Sequence, residues 1–188
     1  MKKTLITILA TVLVCCCVVG GTLAYLMATT QTIKNTFTVG NVSITLVETE
    51  GTGDANNKSF KMVPGNTIKK DPKVTVVAGS EDCYVFVKIE ESNNLNDFIT
   101  YAVADGWNVL KNGDATIQGV YYRSYNDDDG AQEYPVLTSN EVTVKDTVTK
   151  TMVDGLTAET YPTLSFTAYA IQSANTGSAY DAWLKVSA

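Results

Sequence analysis

Alternation of apolar and polar residues over short segments is the feature that most constrains the fold of this chain. In Cys83–Glu90 and in Thr163–Ile171, every second position is apolar along the segment. A period of two is typical of β-strands, because successive side chains point to opposite faces of a sheet. Clusters of Gly, Asn, Asp and Pro separate such segments and indicate turns. The sequence therefore predicts an all-β domain.

The predicted strands are short and regularly spaced. The clearest are Thr36–Glu48, Lys73–Val77, Cys83–Glu90, Trp107–Leu110, Gly119–Tyr125, Glu141–Val144 and Thr163–Ile171, and weaker strands are predicted at Phe60–Val63 and Val148–Val153. Apolar residues spaced three and four apart predict two short helices, at Leu95–Val103 and Ser178–Val186. Seven to nine short strands of this kind favour a jelly-roll-like β-sandwich with one or two short helices.

The start of the chain has the pattern of a secretory signal peptide. Two lysines precede an apolar run of 15 residues, Leu5–Val19, which a Gly-Gly pair and small residues then end. A helix needs about 20 apolar residues to span a bilayer, so this run is short for a permanent anchor. We expect cleavage between Ala24 and Tyr25 and secretion to the extracellular matrix or cell surface, with only transient membrane contact. An uncleaved single-pass anchor is the alternative.

Cleavage divides the chain into a signal peptide (1–24), an N-terminal segment (25–36) and one β-sandwich domain (37–188). Loss of Lys2 and Lys3 changes the formal net charge from −6 to −8. An acidic surface argues against nucleic acid and anionic lipid as partners. Cys83 is the one cysteine outside the leader. It is predicted to be a buried core thiol, and an intermolecular disulfide is the alternative.

The residues give little support to catalysis. The chain has no histidine, which excludes Ser-His-Asp and Cys-His catalysis and the usual histidine zinc sites. It has no phosphate-binding or dinucleotide-binding glycine motif. We therefore predict no catalytic residue and no cofactor.

A weak candidate for a metal site is the acidic run Asp127, Asp128 and Asp129, which Gly130 follows. Carboxylates of this kind can bind Ca²⁺, but their spacing differs from that of an EF-hand loop, so an exposed turn is the competing interpretation. Four tyrosines near this run could form a sugar-binding surface or could be half-buried strand residues. They are Tyr121, Tyr122, Tyr125 and Tyr134.

Several stretches, in the same order along the chain, resemble the TasA/camelysin family. They are Gly20–Tyr25, Asn35–Val42, Val63–Pro72, Ala78–Val87 and Leu164–Gln172. The resemblance implies a jelly-roll domain that a dedicated signal peptidase of the SipW type releases at the surface of a Gram-positive-type bacterium. It also implies assembly into biofilm matrix fibres, as a homopolymer or with related matrix subunits.

In that family the mature N-terminal segment of one subunit adds as a strand to the sheet of the next, which is β-augmentation. The corresponding segment here is Tyr25–Thr36, in which Lys34 is the one charged residue and Pro and Gly are absent. Such a composition permits pairing with a sheet edge. The residues expected to make the assembly contact are Thr29, Thr30, Thr32, Ile33 and Thr36. A disordered tail is the competing hypothesis.

Camelysin members have been classed as metalloproteases, but this sequence has no His-Glu-x-x-His motif. The protease activity is therefore not carried over. The function predicted from the sequence is a secreted, non-enzymatic structural subunit of extracellular fibres. The alternatives are a secreted adhesin and a metal-dependent, camelysin-like hydrolase on the same fold.

Overall fold

The computed structural model describes residues 40–54 and 57–188. The predicted signal peptide, the cleavage position between Ala24 and Tyr25, and the N-terminal segment with Thr29, Thr30, Thr32, Ile33 and Thr36 lie outside these residues.

The described part of the chain is mostly β-structure with three short helices, which confirms the predicted β character. The strands are β1 (Ile44–Val47), β2 (Thr52–Gly53), β3 (Lys58–Ser59), β4 (Thr67–Lys69), β5 (Lys73–Val76), β6 (Cys83–Glu91), β7 (Ile99–Thr100), β8 (Asn108–Asn112), β9 (Ala115–Tyr125), β10 (Gln132–Pro135), β11 (Glu141–Val144) and β12 (Leu164–Gln172). The helices are α1 (Leu95–Phe98), α2 (Lys150–Asp154) and α3 (Ala179–Val186). None of the helices in this part is long and apolar enough to cross a membrane.

The described strands form four antiparallel sheets. The largest has the strand order β12-β6-β9-β8. The others have the orders β1-β5-β10, β4-β11-β7 and β2-β3. The nine-residue pairing of β6 with β12 is the longest ladder, from Cys83 opposite Gln172 to Glu91 opposite Leu164.

The first core contains side chains from the four-stranded sheet and from the sheet β1-β5-β10. Val85 and Val87 of β6 and Val74 and Val76 of β5 are fully buried in this one cluster. Full burial of an aliphatic side chain of this kind stabilises a fold by about 1.5–3 kcal/mol. Alternate side chains of β5 and β6 are apolar because they point into the same core.

A third layer covers the opposite face of the four-stranded sheet. Phe86 on β6 has no exposed surface, and its ring centroid lies 5.4 Å from that of Trp183 on α3. Tyr169 on β12 meets the same indole edge-on at 5.2 Å. Ser178 and Asp181 begin α3 with a reciprocal capping box. These contacts form the third core and explain why Phe86, on the face opposite Val85, is buried as well.

The second core lies beneath the short helices. Leu95 and Phe98 of α1 pack with Val142 and Val144 of β11 and with Val148. This cluster fixes the chain between β6 and β12, where the loops are longest.

Several predicted elements agree closely with the structure. Glu141–Val144 is a strand with the predicted bounds, and Cys83–Glu90 is one residue longer. Thr163–Ile171 is shifted by one residue, and the last helix begins at Ala179, after its cap Ser178.

Other predictions were wrong. No strand occurs at Phe60–Val63. The stretch Val148–Val153 is mainly the helix α2, because the Thr149 hydroxyl accepts a hydrogen bond from the Met152 amide and caps it. The helix expected over Leu95–Val103 ends at Phe98, since Ile99–Thr100 pairs with β11 instead.

The first strand is shorter than predicted among the described residues, and several short strands were not predicted. Among the described residues, the strand expected over Thr36–Glu48 is limited to Ile44–Val47. The strands Thr67–Lys69 and Gln132–Pro135 were not predicted. Each has few apolar residues, and each is held by pairing to a neighbour that is distant in sequence.

Candidate functional site

The outer side of β12 is a long sheet edge. β12 pairs with β6 along all nine of its residues, and it is the end strand of the four-stranded sheet. Its sequence from Leu164 to Gln172 has no charged residue, no proline and no glycine. Natural edge strands are usually short, charged, bulged or interrupted by proline, because an unprotected edge is a template for another strand. We call the outer side of Leu164–Gln172 the open edge.

The hydrogen-bond register shows which backbone groups lie along the open edge. The Ser92 amide donates to the Thr163 carbonyl at 3.0 Å, and the Ser173 amide donates to the Asp82 carbonyl at 2.8 Å. In an antiparallel ladder, pairs that exchange hydrogen bonds alternate with pairs that do not. Odd-numbered residues of β12 therefore point their backbone groups towards β6.

The even-numbered residues of β12 point their amide and carbonyl groups outward. They are Leu164, Phe166, Ala168, Ala170 and Gln172. No backbone partner for these groups occurs within residues 40–54 and 57–188.

Apolar side chains along the open edge are only partly covered. Those of Leu164, Phe166, Ala168 and Ala170 pack against the first core but are not fully buried. On β1, which lies beside β12, Ile44 and other inward-facing side chains are also partly buried. The first core is therefore less well covered on this side than at its centre.

The opposite edge of the same sheet is better protected. β8 has five residues, Asn108–Asn112, and one of them is Lys111. Its register with β9 shifts between Val109 and Lys111, which marks a bulge or a similar irregularity. Short length, a lysine and a bulge are the devices by which proteins prevent strand addition.

Backbone hydrogen bonds fix the first described residues against a turn. The Glu81 amide donates to the Asn41 carbonyl at 2.9 Å, and the Val77 amide donates to the Ser43 carbonyl at 2.9 Å. The buried Ser80 hydroxyl accepts from the Ser43 amide at 3.1 Å. Asp82 follows Glu81 in the chain, and its carbonyl accepts a hydrogen bond from the amide of Ser173, the residue after β12. The first described residues therefore lie near the C-terminal end of β12.

A buried lysine lies at the far end of β1. The Lys70 ammonium is 2.9 and 3.1 Å from the two carboxylate oxygens of Glu48, and the two side chains are 9% and 14% exposed. The same ammonium lies 4.7 Å from the Phe60 ring centroid and 5.3 Å from that of Phe166 on β12. Lys70 therefore joins the end of β1 to β12. The burial of Lys70 could not be predicted, because Lys70 stands in a polar run beside Lys69 and Asp71.

Asp71 fixes the chain just after β1. Its carboxylate accepts from the amides of Thr49 at 2.9 Å and Glu50 at 2.8 Å, and from the Thr49 hydroxyl. Burial raises the pKa of Asp71, but these hydrogen bonds outweigh burial and hold its pKa below the ordinary value. The ionised carboxylate thus supports the start of the loop after β1.

The acidic run forms an exposed 3₁₀ turn, Asp127–Asp129, and its first amide donates to the Asp82 carboxylate at 2.8 Å. Within the described ranges, no three His, Cys, Asp or Glu side chains form a group that could hold a metal ion.

The four tyrosines near the acidic turn do not share one exposed surface. Tyr125 is buried and donates its hydroxyl proton to the Gly130 carbonyl at 2.7 Å. Tyr121 packs on the first core and Tyr122 on the third. Tyr134 is buried in the first core, so the structure offers no tyrosine platform at this turn.

The Arg123 guanidinium lies between two aromatic rings, 5.2 Å from the Trp107 centroid and 4.8 Å from the Tyr134 centroid. Its Nη2 donates to the Asp105 carbonyl, and burial lowers its pKa. Its Nε is buried and has no partner among the described residues. The Trp107 Nε1 also donates to the Pro135 carbonyl at 2.9 Å, so the cluster links Trp107 to β10 at the border of the first core.

Cys83 is 1% exposed, which confirms the predicted core thiol. Burial, together with the nearby Asp82 carboxylate, raises the pKa of the Cys83 thiol to about 11. The thiol is therefore neutral near pH 7 and poorly placed for disulfide exchange.

Comparisons of the chain with family models, with curated proteins and with solved structures gave no match.

Proposed function

We propose that this chain is a secreted, non-enzymatic structural subunit of extracellular fibres or biofilm matrix, similar to proteins of the TasA/camelysin family. Cleavage between Ala24 and Tyr25 releases the N-terminal segment Tyr25–Thr36. That segment then adds as a β-strand to a neighbouring subunit, either another copy of this chain or a related matrix subunit.

The observation that carries this proposal is the anchoring of the domain's first residues. Hydrogen bonds from Val77, Ser80 and Glu81 hold Asn41 and Ser43 at one end of the domain. These contacts give the described domain a fixed starting point, from which strand addition by the preceding segment would begin. Each backbone hydrogen bond that it makes to a sheet edge contributes about 0.5–1.5 kcal/mol net, so a strand of several residues can hold two subunits together.

The arrangement of the sheets supports a jelly-roll type of sandwich in the same proposal. All described strand pairs are antiparallel, and two sheets share the first core. Jelly rolls bury one face of each sheet in this way. The helix α3 then covers the outer face of the larger sheet.

Deletion of the segment tests the proposal. The mature chain, residues 25–188, is expected to form fibres that electron microscopy and sedimentation detect. A variant without Tyr25–Thr36 is expected to remain a folded monomer. A matched control replaces the same twelve positions with Gly and Ser, which keeps the length but removes the β-forming side chains. Equal polymerisation of all three proteins would contradict strand addition.

Within the described residues, no specific contact favours the adhesin or the hydrolase considered from the sequence. Their best features were the run Asp127–Asp129 and the tyrosines beside it, and these lie in an exposed turn and in separate cores.

A further inference from the structure

We propose that the open edge of β12 is the acceptor for the N-terminal segment of a second copy of this chain. The inference rests on the proposed function and adds the surface at which the subunits meet. It assigns the contact to the outward backbone groups of Leu164, Phe166, Ala168, Ala170 and Gln172.

The contrast between the two edges of one sheet carries the choice of β12. Both edges expose backbone groups, but β8 is five residues long, contains Lys111 and has a shifted register. β12 is nine residues long, in unbroken register with β6, and uncharged. An added strand would find about 30 Å of regular edge at β12 and much less at β8.

Partly covered side chains favour the same edge. The residues whose backbone groups face outward are also those whose side chains pack on the first core, Leu164 and Phe166 among them. A strand added beside β12 would extend the inner face of the sheet by one strand. Its apolar side chains would therefore cover Leu164 and Phe166 further, and hydrogen bonding and apolar burial would act together.

The sequence ahead of Gly40 has the composition that such an edge requires. In the stretch 25–39, Lys34 is the one charged residue. Ile33, Phe37 and Val39 stand at positions of the same parity and would share one face of a strand. Twelve extended residues span about 40 Å, which is enough to cover all of β12.

The place where the domain begins favours a second copy over the same subunit. Asn41 is bonded to the turn at Glu81, at the end where β12 finishes at Gln172. β1 runs back across the domain from that end. A strand that continued the direction of β1 ahead of Gly40 would extend beyond this end of the described domain, so we take a second copy as the occupant of the open edge.

Residue-resolved hydrogen exchange tests the acceptor. Mature chain is exchanged as dilute monomer and as fibres, and the amides are read by NMR after dissolution. Odd-numbered amides from Ser165 to Ile171 should be protected in both states, since they bond β6. Even-numbered amides from Phe166 to Gln172 should exchange quickly in the monomer and at least tenfold more slowly in the fibre.

Other outcomes overturn the inference in distinct ways. New protection confined to β8 would reject β12 as acceptor and leave the proposed function intact. Even-numbered β12 amides that are already protected in dilute monomer would assign the edge to the same subunit's own segment. Failure of the mature chain to form fibres under any condition would overturn the proposed function and this inference with it.

A proline variant gives an independent test. Ala170→Pro removes one outward amide without a loss to the β6 ladder, and edge strands tolerate proline where the N–H faces solvent. It should slow fibre growth at least tenfold. Val109→Pro, which removes an amide that points away from β9 on the opposite edge strand, is the matched control and should assemble like the unmodified chain. Equal growth of both variants, with unchanged circular dichroism, would overturn the inference.

Discussion

Replacement of Lys70 with methionine is expected to destabilise the domain strongly, although Lys70 is a lysine in a polar stretch of sequence. The substitution removes the ammonium that contacts both oxygens of Glu48 and leaves that carboxylate, 14% exposed, without its partner. Methionine retains much of the apolar contact with Phe60 and Phe166. The expected loss is therefore mainly electrostatic.

The magnitude follows from burial. Removal of one partner from a buried ion pair costs about 3–5 kcal/mol. Because Glu48 retains some contact with water, we expect the lower end, about 3 kcal/mol. For a domain of this size that corresponds to a decrease in Tm of about 6–12 °C.

Urea unfolding followed by circular dichroism measures the effect. Lys73→Met is the matched control, because the Lys73 ammonium lies at the same 2.9 Å distance from a Glu133 oxygen but the two side chains are 41% and 60% exposed. This exposed pair should contribute less than about 1 kcal/mol. The double variant Lys70→Met with Glu48→Leu should recover most of the loss, since apolar groups can replace a buried pair. Equal effects of the two single variants would refute the assignment of Lys70 as a buried link between β1 and β12.

Three further predictions concern the core, the thiol and the acidic turn. Trp183→Ala should lower the free energy of unfolding by about 3–5 kcal/mol, measured in urea, because the indole packs against Phe86 and Tyr169. Cys83 should resist iodoacetamide at pH 8.5 in the native protein and react once unfolded. Folding raises the pKa of the Cys83 thiol from about 8.5 in the unfolded chain to about 11. The neutral thiol therefore stabilises the folded state fully below about pH 8.5, and this contribution is lost as the pH rises towards about 11. Cys83→Ala should abolish this part of the pH dependence of the free energy of unfolding. Calcium should not change the Tm of the protein or of a variant with asparagine at Asp127–Asp129; a Tm increase that needs these carboxylates would contradict the assignment of an exposed turn.

Elements with a clear local pattern could be predicted from the sequence. β6 and β11 combine alternation with β-branched residues and turn residues at both ends, so local preference and tertiary pairing agree. The C-terminal helix could be predicted from the spacing of Tyr180, Trp183 and Leu184. In the structure Ser178 caps this helix, and Tyr180 and Trp183 pack in the third core, whereas Leu184 is exposed.

Elements held by distant partners could not be predicted. Thr67–Lys69 contains one apolar residue, and its strand exists because it pairs with β11 more than seventy positions later. Gln132–Pro135 includes a proline that weakens any strand prediction, yet it pairs with β5. Val148–Val153 has strand-forming residues, but the Thr149 cap begins a helix there.

The candidate site, too, could be predicted only in the features that depend on local sequence. The sequence indicates that Leu164–Gln172 is a strand and that its residues are uncharged. It does not indicate that this strand ends a sheet, because strand order is decided by pairings between residues far apart in the chain. The burial of Lys70 is likewise a tertiary fact, since nothing in the local sequence separates it from Lys69.

A reconstruction of the fibre by cryo-electron microscopy tests strand addition most directly. It should show an extra strand about 4.8 Å from β12, on its outer side, that can be traced into Gly40 of a neighbouring subunit. A fibre in which the outer side of β12 contacts solvent, or in which the extra strand belongs to the same subunit, would contradict it.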